Sequence, residues 1–122
     1  MAQLKASLSL STTSVSSEIF TFDLTKILSV KNPAVQTQTA DIATGSDTAI
    51  VTPAAASAAY VFVYNKDATN YVGIKLDGDE MLRVGPGEVS FFCVQSSRAC
   101  VLRANTAACK CEFGYFTFNV YR

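Results

Sequence analysis

Tyr60-Val61-Phe62-Val63-Tyr64 decides the fold. These five residues are β-branched or aromatic with no polar break, which suits a strand covered on both faces. Downstream, Asn65-Lys66-Asp67-Ala68-Thr69-Asn70 supplies turn residues, and Tyr71, Val72, Ile74 and Leu76 resume strand spacing, so residues 60–76 read as a hairpin. Asp77-Gly78-Asp79-Glu80 turns the chain again. Met81-Leu82-Arg83-Val84 is a short strand closed by Gly85-Pro86-Gly87, where glycine tolerates positive φ and proline presets a turn residue. Residues 88–94 form the next strand, and 99–104 with 108–118 read as a final pair around Asn105-Thr106. Strands recurring every ten residues or so with turn signals between them indicate an all-β fold, an antiparallel β-sandwich or jelly-roll barrel.

Upstream, Ala54-Ala55-Ala56-Ser57-Ala58-Ala59 favours helix by propensity but is flanked by strand signals, so it reads as a linker or a single turn. Residues 1–52 are rich in serine and threonine. Within them Leu4, Ala6, Leu8 and Leu10, then Phe20, Phe22 and Leu24, recur at the strand period of two. Residues 24–30 fit a strand or one to two helical turns, and we read them as strand. Asn32-Pro33 interrupts whatever precedes it, because proline lacks an amide donor and forces its predecessor into extended geometry. Residues 34–47 are polar and unpatterned, as in an exposed arm. The expected organisation is an extended N-terminal arm with the first strands over 1–52 and the antiparallel sandwich core over 53–122.

A chain of 122 residues fits one domain and buries about two-thirds of its unfolded surface. Charged residues make up only 16%, and ten lysines and arginines balance ten acidic residues. Net charge near zero favours association and gives no basic footprint for phosphates, so neither DNA nor RNA is an expected partner. The first ten residues alternate leucine with small polar residues rather than forming the apolar run of a secretory signal. No stretch approaches the length of a membrane-spanning helix, and no membrane partner is expected.

Histidine is absent, which excludes Ser–His hydrolysis, and no phosphate loop or dinucleotide fingerprint occurs. Cys93, Cys100, Cys109 and Cys111 are the candidates for metal or redox chemistry. Their spacing lacks the close pairs of a zinc knuckle, and cysteine commonly packs as a small hydrophobe, so structural thiols in or near the core are the leading reading. One or two disulfides, or a metal, are the alternatives. Cys109 and Cys111 share a strand face about 7 Å apart, too far for an unstrained bridge. Asp77, Asp79 and Glu80 form a fragment of a calcium loop without the remaining ligands, and read as a solvated turn. No catalytic, cofactor-binding or metal-binding residue is expected.

Tyr60, Tyr64, Tyr71, Tyr115, Tyr121, Phe91, Phe92, Phe113, Phe116 and Phe118 give the second half more aromatic surface than one sheet face buries, so part of it is a candidate interface. On the last strand, Cys109, Cys111, Phe113 and Tyr115 share one face, and Lys110, Glu112, Gly114 and Phe116 the other.

Five strings, Tyr60-Val61-Phe62-Val63-Tyr64-Asn65, Ala68-Thr69-Asn70-Tyr71-Val72, Gly85-Pro86-Gly87-Glu88, Ala104-Asn105-Thr106-Ala107 and Glu112-Phe113-Gly114-Tyr115, resemble small virion structural proteins of tailed bacteriophages of the marine and cyanophage type. The resemblance spans about half the chain and rests on turn-and-strand signatures. It implies a non-enzymatic β-sandwich or jelly-roll subunit assembled in many copies on a virion, as a capsid decoration or cement protein. The partners so implied are other virion proteins, first the major capsid protein, and further copies of the chain. The alternative is a tail-tip or fibre-associated module binding a host-surface glycan, with the loops at 65–70 and 77–80 and exposed tyrosines forming a shallow site.

Overall fold

A computed structural model describes residues 2–11, 21–31 and 36–120. Asn32-Pro33, Phe20 and Tyr121 lie outside the described residues. The described residues form ten strands: β1 (Ala2–Ser11), β2 (Thr21–Val30), β3 (Gln36–Ile42), β4 (Thr48–Val51), β5 (Ser57–Asn65), β6 (Val72–Leu76), β7 (Asp79–Val84), β8 (Val89–Val94), β9 (Cys100–Ala104) and β10 (Cys109–Asn119). No helix among them is long and apolar enough to cross a membrane.

The pairing of β3 to β10 is nested. β3 pairs with β10, β4 with β9, β5 with β8 and β6 with β7, all antiparallel. The innermost hairpin closes where Leu76 opposes Asp79, leaving Asp77 and Gly78 at φ 52° and 90°. A two-residue turn with both φ values positive has the twist that antiparallel strands need, and Asp-Gly is among the sequences that adopt it readily. The long nested hairpin is then rolled, so that β10 also meets β5 and β9 also meets β6. Two four-stranded sheets result, β3-β10-β5-β8 and β4-β9-β6-β7. This is the jelly-roll arrangement, and the expected all-β antiparallel class is what the chain adopts.

Alternation on the strands builds the core between the sheets. Ile42, Ala59, Val61, Val63, Val94, Cys109, Cys111 and Phe113 come from the first sheet, and Val72, Ile74, Val84, Cys100, Leu102 and Ala104 from the second. The face assignment along β10 agrees with the sequence: Cys109, Cys111 and Phe113 are buried, and Tyr115 packs against them. β5 is enclosed on both faces at Tyr60, but Tyr64 is exposed.

Three sequence expectations are corrected. Residues 60–76 are not a hairpin, and 99–104 does not pair with 108–118, because β5 and β6, like β9 and β10, belong to opposite sheets. The segment after β5 arches across the end of the sandwich from one sheet to the other, held by buried Asn65. Its Nδ2 donates to the Asn70 carbonyl at 2.9 Å and the Val84 carbonyl at 3.0 Å, while its Oδ1 accepts the Asp67 amide at 2.9 Å. The third correction concerns residues 34–47, of which 34 and 35 lie outside the described residues. Residues 36–42 are no exposed arm: β3 pairs with β10 along its length and buries Ile42 completely, while 44–47 do form an exposed loop. The sandwich therefore starts at Gln36, and the division at 52/53 falls inside it, between β4 and β5.

Candidate interaction surface

β1 and β2 form a separate hairpin in regular register, from Ala2 opposite Val30 to Ser11 opposite Thr21. Period two puts Leu4, Ala6, Leu8 and Leu10 on the same face as Phe22, Leu24, Lys26 and Leu28, with Leu4 opposite Leu28, Leu8 opposite Leu24 and Leu10 opposite Phe22. The base of this hairpin is fixed. Val30 is buried, the Lys31 amide donates to the Thr117 carbonyl at 2.7 Å, and the Lys31 ammonium donates to the Ser57 hydroxyl. Towards the tip the leucine row emerges: Leu8, Leu10, Phe22 and Leu24 are between 41% and 50% exposed.

The outer face of the β3-β10-β5-β8 sheet is aromatic where it meets this hairpin. Its register sets Tyr60 between Phe116 and Cys93, Phe62 between Gly114 and Phe91, and Tyr64 between Glu112 and Val89. Tyr60 stacks on Phe118 with ring centroids 4.4 Å apart and on Phe91 at 5.9 Å, and Phe62 lies 6.4 Å from Phe116. Between the leucine row and this face runs an open apolar groove of about 610 Å³, bordered by Leu4, Leu8, Leu24 and Leu28 on one side and Phe62, Val89, Phe91 and Phe116 on the other. Lys26 also borders it and forms no ion pair among the described residues. A lysine there lays its methylene stem along apolar surface and keeps the ammonium in water.

The candidate chemistry falls elsewhere. Cys100, Cys109 and Cys111 are buried thiols in the core, as expected, but Cys93 is exposed on the outer face of β8. The placement of Cys93 follows from parity: β8 turns Phe92 and Val94 inward and so Phe91 and Cys93 outward. Burial pushes the Cys100 thiol up to about 11 and Cys111 to about 12, and raises Cys109 too. Thiols held protonated in this way are poor nucleophiles.

Asp77 is engaged by the Ala99 amide at 3.0 Å and the Arg98 guanidinium at 3.0 Å, and Glu80 by Arg83 at 2.9 Å. Among the described residues no three potential metal ligands come together. The two polar loops of the glycan reading stand at opposite ends of β6, so they do not converge on one site. Asp67 accepts the Asn70 amide at 2.7 Å and the Thr69 amide at 3.0 Å, spending its carboxylate on the loop itself.

Sequence reading identified the leucine periodicity and the aromatic excess but did not bring the two together. The only signal was the matched length of two period-two runs either side of a polar stretch. Compared with known families and with curated proteins, the chain matches no family model and no curated protein.

Proposed function

We propose that the chain is a non-enzymatic structural component of a tailed-phage virion, a decoration or cement protein that attaches to the head lattice through its hairpin. The observation that carries this reading is the hairpin itself: a leucine-faced element, fixed at its base to the sandwich and half-exposed over its outer part. An apolar row maintained in water is costly in a solitary protein and useful in one that binds a surface. The jelly roll supports the reading by analogy only, since capsid, lectin and enzyme domains share it.

Completing the burial of Leu8, Leu10, Phe22 and Leu24 contributes about 1 kcal/mol each, or about 4 kcal/mol per copy, because roughly half of each side chain is already covered. Such an increment is modest alone. Repeated over a lattice it becomes strong attachment through effective concentration, without any single tight contact.

The test is particle binding by the full chain, compared with a Leu8→Ser, Leu24→Ser double variant, together with image reconstruction of intact virions. The chain is expected to appear at regular positions on the head, and the double variant to bind at least tenfold more weakly, since each 1.4 kcal/mol lost is a factor of ten. Absence of the chain from the particle, or equal binding by the double variant, would overturn the proposal.

A further inference from the structure

The groove between the N-terminal hairpin and the outer face of the β3-β10-β5-β8 sheet has two apolar walls, both contributed by the same chain. On the hairpin side Leu8 and Leu24 are half-exposed, and on the sheet side Val89 and Phe91 are 69% and 50% exposed. Neither wall covers the other, and about 610 Å³ of open space separates them. Small-molecule sites are clefts of roughly 300–1,000 Å³ with a mainly apolar and aromatic lining and a few placed polar groups. The groove has that size and that lining.

Its charged groups are of one sign. Lys26 borders the groove from β2, where the register sets it opposite Ala6, whose small side chain leaves the ammonium room. Lys5 borders it from β1. Among the described residues neither ammonium has an ion pair or hydrogen bond, and no acidic residue borders the groove. Acidic side chains in the neighbourhood are turned away or engaged. Asp23 falls on the other face of the hairpin by parity. Glu88, next to Val89, accepts the Gly85 amide at 2.7 Å, and Glu112, opposite Tyr64, pairs with Lys66 at 3.4 Å.

We propose that the groove is a binding site for a single-chain amphiphile with an anionic head, a medium-chain carboxylate, whose tail lies between the leucine row and Phe91 and whose head meets the Lys26 ammonium. Charge selects the head: two cations with no acid between them favour a carboxylate and repel a cationic group. Shape selects the tail. A broad protein surface covers each wall from outside, whereas an alkyl chain enters between the walls and touches both at once. From Leu4 opposite Leu28 to Leu8 opposite Leu24 the hairpin advances four residues, about 14 Å. An extended chain of about ten carbons, advancing about 1.3 Å per bond along its axis, has that length. A charge-assisted hydrogen bond from ammonium to carboxylate then fixes the direction in which it lies. The inference is independent of attachment to particles, since it concerns the isolated chain, and the failure of either leaves the other standing.

The experiment is calorimetric titration of the full chain with sodium decanoate below its micelle-forming concentration, alongside decanol, decyltrimethylammonium, and vesicles of phosphatidylcholine with phosphatidylglycerol. Decanoate is expected to bind saturably, one molecule per chain, with a dissociation constant below about 1 mM. It should shift the methyl NMR signals of Leu4, Leu8, Leu24, Leu28 and Val89. Decyltrimethylammonium should bind about tenfold more weakly, and vesicles not at all. Lys26→Glu, at an exposed position, should weaken decanoate about tenfold, because attraction is exchanged for like-charge repulsion, and leave decanol unchanged. Val89→Asp, on the sheet wall, should weaken both, and Met81→Asp, exposed on β7, neither. Equal affinity for decanoate and decyltrimethylammonium overturns the proposal, as does a decanoate affinity that survives Lys26→Glu. Saturation that moves none of these methyl signals also overturns it. So does binding to vesicles without binding to free decanoate, which marks the apolar rows as a membrane-facing surface rather than a slot.

Discussion

Asn65 is the residue on which the arch between the sheets depends. Its side chain is completely buried and makes four hydrogen bonds, donating to the carbonyls of Asn70 and Val84 and accepting from the Asp67 amide and, at 3.9 Å, from the Cys111 thiol. Asn65→Ala leaves the buried Val84 carbonyl and the part-buried Asn70 carbonyl without this donor and is expected to cost about 3 kcal/mol in denaturant unfolding. The sequence marked Asn65 as a turn former, and nothing local distinguishes a turn asparagine in water from one buried as a hub, because the difference lies in Val84, nineteen residues away. Two carboxylates add a pH dependence. Asp67 lies below the ordinary range through the amides of Asn70 and Thr69, and Asp77 through the amide of Ala99 and then Arg98. Depressed folded values mean that the stability they contribute is complete above the unfolded aspartate value and is lost as pH falls through the folded ones. The urea midpoint should therefore drop on acidification below about pH 4. The Asp67→Asn, Asp77→Asn double variant should show a flatter profile.

At the scale of elements, the N-terminal hairpin and the sandwich differ in what they owe each other. Removal of residues 1–31 takes away β1 and β2, whose ladder is entirely their own, and is expected to leave a cooperatively unfolding sandwich with native-like circular dichroism. Removal of 1–52 should instead abolish folding, because it deletes β3 and β4 and with them buried Ile42. Strand existence was legible almost throughout, since β5, β6, β8 and β10 announce themselves by β-branched and aromatic residues at period two. Strand partnership was not. The string from Asn65 to Asn70 has the composition of a hairpin loop, and only its hydrogen bonds to the second sheet reveal an arch. β3 escaped notice for a related reason: Gln36-Thr37-Gln38-Thr39-Ala40-Asp41-Ile42 is an edge strand with a wet outer face, and only Ala40 and Ile42 register as core. The candidate surface was half legible for the same cause, as its two apolar rows could be counted while their apposition depended on tertiary placement.

For the molecule as a whole, nested pairing places the earliest sandwich strand against the last one. β3 opposes β10, so the contact that closes the first sheet joins residues 42 and 109, far apart in sequence. Loop closure over such spans precedes any reward from contact, and refolding is expected on the millisecond-to-second scale rather than in microseconds. Stopped-flow tyrosine fluorescence is the suitable probe, as the chain has five tyrosines and no tryptophan. The central position of β10, with β3 on one flank and β5 on the other, also governs biogenesis. A nascent chain emerging from the ribosome presents β3 and β5 early, with only β4 between them in sequence, but without β10, the strand that must lie between them in the sheet. Until residue 119 clears the exit tunnel the first sheet has no middle, and a net charge of zero with sparse charged residues gives the unfinished polypeptide little repulsion against aggregation.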